Sequence, residues 1–293
     1  MRLAFNVDNE KPPPLFPPPE GEPTLIDSLK VPTKAIPGIP DLMHHKYAIR
    51  DTEAVWTGST NWTDDSWTRQ ENVIAVVESP ALAAAYTRDF EQLWETGLVA
   101  ESGFVDPNPI RVDGRRVRAW FSPGRGEALA TRLAQRVKKA TGRIRVCSPV
   151  LTSGPILGAL AERVSEGDVD VAGVVDATQM RGVFHQWRLN GNADWKLPLV
   201  ARIFGAAAFS GKVSTPYGQG DVHDFMHAKL TVTDDMVFAG SYNLSRSGEQ
   251  NAENVLEVRD AALADRLAAW IDDLRGRYPA APEPGSEPED VRG

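Results

Sequence analysis

The chain has 293 residues, enough for about two domains, and its 42% hydrophobic and 25% charged composition excludes a fibrous or wholly disordered protein. A formal net charge of -8 excludes coating of nucleic acid by bulk charge, which needs clustered cations, though not a local basic groove. The single cysteine, Cys147, excludes an intrachain disulfide framework and a cysteine-rich zinc site, and no apolar run reaches membrane-spanning length.

The N-terminus MRLAFNVDNEKPPP lacks an apolar core of signal-peptide length, so a cytoplasmic or peripheral-membrane protein is expected. Residues 2–7 read as a strand, and the proline-dense run Pro12–Pro19 as an extended surface loop. Three strands follow in MHHKYAIRD, AVWTGSTNW and NVIAVVES. Ser79-Pro80 then opens a helix that closes at Gly97. Residues 101–116 read as a connection between halves.

The second half opens on the strand VRAWFSP and a helix over 126–141, with Leu129, Leu133 and Val137 at helical spacing. IRVCSP and VDVAGVVD read as buried strands with the helix GPILGALAERVSEG between them. Residues 177–222 show no clear period and are expected to be irregular. Strands return in HAKLTVTD, MVFAGSYN and NVLEVRD, followed by a helix over 261–275 and a Pro- and Glu-rich tail expected to be disordered. The alternation predicts an α/β protein built on a mixed sheet flanked by helices. The expected layout is a first lobe over 1–100, a connection over 101–116, a second lobe over 117–277 and a tail over 278–293.

The lobes are tied by an internal repeat. His44, Lys46, Asp51, Gly58-Ser59-Thr60-Asn61 and Glu71-Asn72 in the first half answer His227, Lys229, Asp234, Gly240-Ser241-Tyr242-Asn243 and Glu253-Asn254 in the second. The offset is 183 residues up to the aspartates and 182 from the glycines onward. One copy of H-x-K-x4-D-x6-G-S-x-N arises by chance in roughly one chain in 10^5 of this length, and two copies in register are not chance.

On these motifs the chain resembles the phospholipase D superfamily, and the resemblance covers most of residues 1–278. It implies two pseudo-symmetric lobes, phosphodiester chemistry and no metal or other cofactor. Strand alternation places His44 and Lys46 on one face with His45 on the other, and His227 and Lys229 repeat this. An imidazole changes charge near neutral pH, so one histidine can attack phosphorus while the other protonates the leaving oxygen and then activates water. The resemblance implies a phosphohistidine on His44, with His227 as general acid. Lys46 and Lys229 are expected to hold the developing negative charge, and Ser59, Asn61, Ser241 and Asn243 to donate to the same oxygens. Glu71 and Glu253 are expected to orient the histidines through the far ring nitrogen, as the resemblance implies. Asp51 and Asp234 complete the motif at strand ends, where a turn role competes with a catalytic one. His45, His185 and His223 have no counterpart in the other half and read as structural.

The expected substrate is a phospholipid headgroup or another phosphodiester, with nucleic acid as the alternative and a catalytically dead phosphate-binding module as a third reading. Residues 177–222 are expected to cover the substrate and to supply any peripheral membrane contact. They carry Trp187, Trp195, Phe204, Phe209 and Tyr217, with five cations against Asp194 and Asp221. Two strand–helix units precede the strand ending at Asp176, whereas residues 2–7 stand at the equivalent strand of the first half. The first lobe is therefore expected to be reduced, with Met1 either a late start or the start of a smaller lobe, leaving sheet edge and apolar surface exposed.

Overall fold

The computed structural model describes residues 1–7, 26, 28–215 and 223–285. The proline run, Tyr217, Asp221 and the last residues of the tail lie outside the described residues.

The first half builds β1 (Leu3–Val7), β2 (Thr33–Pro37), β3 (Tyr47–Arg50), β4 (Ala54–Gly58), the short helix α1 (Asp64–Thr68), β5 (Ile74–Glu78) and α2 (Pro80–Thr96). Ser79 caps α2 by accepting from Leu82 N, Pro80 takes a position that needs no amide donor, and Gly97 ends the helix in a left-handed conformation. The expected connection holds an edge strand, β6 (Ile110–Val112), joined to β7 (Arg115–Ser122) through Asp113-Gly114, both at positive φ. Asp-Gly between two alternating segments, Ile110-Arg111-Val112 and Arg115-Arg116-Val117, is a hairpin signal.

The second half continues with α3 (Gly126–Lys138), β8 (Arg143–Ser148), α4 (Gly154–Glu166), β9 (Asp170–Asp176), α5 (Ala177–Asn190), α6 (Leu197–Ala206) and β10 (Ala208–Lys212). It ends with β11 (Leu230–Thr233), β12 (Met236–Gly240), α7 (Arg246–Gln250), β13 (Glu253–Arg259) and α8 (Ala261–Arg277). Residues 177–212 are thus ordered, against expectation. Asp176 caps α5 by accepting from Gln179 N, and Met180, Phe184 and Trp187 recur at helical spacing on its buried face. Phe204, Phe209 and Trp187 belong to the main apolar core, leaving Trp195 as the exposed aromatic of that stretch. The segment spends its aromatics on packing, which is worth far more than a surface contact.

One eight-stranded sheet runs β10-β9-β8-β11-β12-β13-β7-β6. Strands β8, β9 and β10 are mutually parallel, and β8 meets β11 antiparallel. Helices α3 to α6 pack on one face of this sheet and α8 on the other, each over its own core. A third core crosses between the halves, where Val55, Leu82 and Tyr86 meet Val117, Phe121 and Leu256.

The first half repeats this plan with fewer strands. Parallel β1–β2 matches β9–β10, and antiparallel β3–β4–β5 matches β11–β12–β13, but they form separate sheets of two and three strands. Among the described residues no strand stands between β1 and β3 as β8 stands between β9 and β11. Among the described residues no helix pair covers the face carrying Trp56 and its cross-strand neighbour Val76, and Val76 is 65% exposed, with Trp62 and Trp67 against Trp56 at 62% and 57%. The expected exposure of apolar surface in the smaller lobe is therefore seen.

Candidate active site

The chain reaches the site twice by the same local route. His44 and Lys46 lie just ahead of β3, and His227 and Lys229 just ahead of β11. The opposite half anchors each segment: His44 N donates to the Ala252 carbonyl at 2.9 Å, and His227 N to the Glu71 carbonyl at 3.1 Å. Each lysine then folds back, Lys46 Nζ donating to the His44 carbonyl at 2.8 Å and Lys229 Nζ to the His227 carbonyl at 2.7 Å. Both ammonium groups are buried.

The two imidazoles are held differently. His44 Nδ1 lies 2.8 and 2.7 Å from the two carboxylate oxygens of Glu253, whose side chain is fully buried. His227 Nδ1 lies 3.1 Å from Asn72 Oδ1, an amide oxygen. Each partner comes from the opposite half, so the pseudo-twofold arrangement crosses over at the site.

Glu71 does not take the position expected for it. Gly58 faces Ile74 across the β4–β5 ladder, whereas Gly240 faces Val255 across β12–β13. Relative to the motif offset, β5 is shifted by one residue, and a one-residue shift turns every side chain to the other face. Asn72 therefore stands where Glu253 stands in the second half, while Glu71 pairs with Lys212 at 2.8 Å and accepts from the Tyr278 hydroxyl. The Glu71-Asn72 dipeptide is visible in the repeat, but its facing is a property of the ladder.

Ser59 and Ser241, expected as donors to phosphate, are buried behind the histidine partners. Ser59 Oγ donates to Asn72 Oδ1 at 2.7 Å and accepts from Val73 N at 3.0 Å, and Ser241 Oγ accepts from Asn254 N at 3.0 Å. Asn61 N donates to Ser66 Oγ, and Asn243 Oδ1 is buried without a hydrogen-bond partner among the described residues. Such an atom is costly unless something pairs with it.

Asp51 and Asp234 are not brought to the site. Both sit in hairpin turns at the far ends of β3 and β11, with positive φ of 50° and 52°, a conformation that Asp tolerates better than most residues. Asp234 accepts from the backbone amides of Thr141, Gly142 and Arg143 at 2.8–3.1 Å, and although burial acts to raise its pKa, these amides hold it below the ordinary carboxylate value. Asp234→Ala is expected to cost about 1–3 kcal/mol of stability through three orphaned amides, with turnover per folded molecule unchanged. Denaturant titration alongside an activity assay checks this.

Electrostatics set the resting protonation. Burial is the largest influence on His44 and, with Lys46 and Lys229, lowers its pKa to about 4 against the pull of Glu253. His227 is driven well below 6.5 by burial, then by Lys229, Lys46 and His44, so the four groups sense one another's charge. Burial likewise brings Lys46 down to about 8, with Glu253 opposing. Lys229 is lowered by burial and by Lys46. Burial acts to raise Glu253, but His44 and Lys46 outweigh it and keep the carboxylate ionised. At neutral pH the site thus holds two neutral imidazoles, a carboxylate and Lys46 as a cation, an arrangement that gains from an entering anion.

The sequence matches the family described as cardiolipin synthase, PLD-like domain, over residues 23–94 and 133–275. It is 40% identical over 53 residues to a mitochondrial cardiolipin hydrolase of Xenopus laevis, covering 18% of this chain and 25% of that protein. It is 28% identical over 89 residues to the mitochondrial cardiolipin hydrolase of Homo sapiens, covering 28% and 35%. The chain therefore spans only about a quarter to a third of these relatives' length. Among solved structures, phosphatidylserine synthase of Haemophilus influenzae superposes with a TM-score of 0.56 at 13% identity, covering 87% of this chain and 67% of that one, a likeness of fold. With the matched region embracing both copies of the motif, the chain belongs to the phospholipase D superfamily, in its family of cardiolipin synthase, PLD-like domains.

Proposed function

We propose that this protein is a phospholipase D-type phosphodiesterase that cleaves or transfers a phospholipid headgroup through a phosphohistidine on His44. The observation that supports it most directly is the crossed pair of imidazoles, each held at Nδ1 by the opposite half, beside two buried ammonium groups. With Nδ1 turned to Glu253, His44 presents Nε2 to the cleft, and the carboxylate offsets the positive charge that grows on the ring as the P–N bond forms. The leaving oxygen departs with the electron pair of the P–O bond and takes a proton from His227. Binding of the anionic diester helps His227 hold that proton, since its charge opposes the burial and the neighbouring cations that keep the ring neutral. Water then loses a proton to His227 and attacks phosphorus, the P–N bond breaks, and His44 is free again.

The lipid reading draws on the net charge of -8 and on the names of the family and the relatives, all of which concern phospholipids. Incubation with phosphatidylcholine vesicles, cardiolipin vesicles, single-stranded DNA and bis-p-nitrophenyl phosphate tests it. Headgroup release without DNA cleavage is expected; DNA cleavage with intact lipid selects the nuclease, and inertness toward all four selects a binding module.

The neutral partner of His227 gives a separate expectation. Asn72→Ala is expected to lower turnover about 10-fold, as loss of one orienting hydrogen bond leaves the ring free to turn, while Glu71→Ala stays within about twofold. Comparison of kcat for the two neighbours checks which of them faces the histidine; equal losses count against the assignment.

A further inference from the structure

We propose that His45 and Asp89 are positioning residues for His44, a second and inward-facing histidine–carboxylate pair that locks the first in place across the boundary between the halves. The proposal rests on the reading of His44 as nucleophile. His45 has no counterpart in the repeat, since Ala228 occupies its place, and a histidine without chemistry is normally just packed. Its surroundings are more specific than that. Its Nε2 lies 3.0 Å from a carboxylate oxygen of Asp89, at ion-pair distance but outside hydrogen-bond geometry, and its Nδ1 lies 3.4 Å from Asn254 Oδ1.

Both partners are themselves immobilised. Asp89, on α2, has no exposure and also accepts from the Tyr47 hydroxyl and Gly103 N, each at 3.1 Å. Asn254, on β13, donates from its backbone to Ser241 Oγ at 3.0 Å and from Nδ2 to Thr57 Oγ1 at 2.5 Å. The His45 ring is confined between Tyr47 and Phe121, with centroids at 5.0 and 6.3 Å. A buried carboxylate without partners would cost several kcal/mol, and the Tyr47 hydroxyl and Gly103 N hold Asp89 where the His45 ring meets it.

The geometry links that arrangement to the reacting ring. Residues 44 and 45 are consecutive and point to opposite sides of an extended segment, and so do 253 and 254 on β13. His44 meets Glu253, and His45 meets Asn254. Two contacts on opposite sides of the same two backbones oppose sliding and twisting of the segments. Fixing His45 on Asn254 therefore fixes where His44 stands against Glu253. The second half has no such backing, for Ala228 supplies no polar atom and His227 is held by Asn72. A nucleophile needs this more than a proton donor does, because attack on phosphorus tolerates little displacement and about 1 Å of misplacement can cost 10²-fold.

The test uses the full chain and bis-p-nitrophenyl phosphate, following phosphoenzyme formation in single turnovers. His45→Ala, a residue the fold already accepts at the matching position 228, and Asp89→Asn are each expected to slow adduct formation about 10- to 100-fold, with KM within about threefold. In ¹⁵N imidazole spectra the His44 ring is expected to show one tautomer in the native protein and an averaged signal in the variants. A merely structural role would lower stability and leave both readouts of the folded fraction unmoved. His45→Gln replaces either variant that does not fold. If His44→Ala still forms the adduct, the reading of His44 is wrong. If His44→Ala abolishes it while His45 and Asp89 variants form it within twofold of native with an unchanged tautomer, the positioning role is overturned.

Discussion

His44→Ala is expected to abolish the phosphoenzyme and to lower kcat by about 10⁴-fold or more, whereas His227→Ala is expected to lose about 10²–10⁴-fold and to fail at a different step. The difference follows from what each ring does. Without His44 the proposed nucleophile is gone, and the adduct is not expected to form. Without His227 the bond can still form when the leaving group is an acidic phenol that departs without a proton. On bis-p-nitrophenyl phosphate, His227→Ala is therefore expected to give a burst of nitrophenolate followed by a stalled adduct, because no base remains to activate water. With a phospholipid, whose leaving alkoxide needs the proton, the burst disappears. Rapid-mixing kinetics on both substrates, with mass spectrometry of the trapped protein, read this directly. A burst in His44→Ala and none in His227→Ala would exchange the two roles.

Glu253→Gln is expected to be nearly as damaging, with a loss of about 10²–10⁴-fold, comparable to replacing the carboxylate behind a catalytic histidine elsewhere. The buried carboxylate serves two cations. On the proposed mechanism it stabilises positive charge on His44 during attack, and it raises the proton affinity of Lys46 against burial. On bis-p-nitrophenyl phosphate, whose leaving group needs no proton from His227, native kcat/KM is expected to be level from about pH 5 to pH 7.5. Below that range His44, with its pKa near 4, begins to take up a proton and loses its lone pair; above it Lys46, with its pKa near 8, loses the charge that draws in the diester. In Glu253→Gln the basic limb moves to lower pH, since the influence that raised the Lys46 pKa is gone. A limb that stays near 8 would separate Lys46 from binding. The same value bears on stability. Unfolded Lys46 holds its proton up to its ordinary 10.5, so between pH 8 and 10.5 the unfolded state binds more protons, and this group's contribution makes the fold more stable as pH rises through that window.

The strands, most helices and the paired motif are legible in the linear sequence because each carries a local signal. Ser79-Pro80 and Gly97 bracket α2, and Leu129, Leu133 and Val137 mark α3. Residues 177–212 escaped notice because their amphipathic spacing, Met180-Phe184-Trp187, is diluted by polar and glycine residues. Burial against a sheet overrides that weak propensity. Tyr217 and Asp221, grouped with that segment, lie outside the described residues.

The repeat by itself implied that two histidines and two lysines would face a common point if a pseudo-twofold axis packs the halves together. Only the tertiary structure decided which neighbours hold them. Asn72 rather than Glu71 meets His227, Asp51 and Asp234 stay in their turns, and His45 gains Asp89 from a helix 44 positions later in the chain. The reason is physical. Strand period ties a side chain's face to its own backbone, but the register between strands is set by contacts distant in sequence, and a shift of one residue there reverses inside and outside.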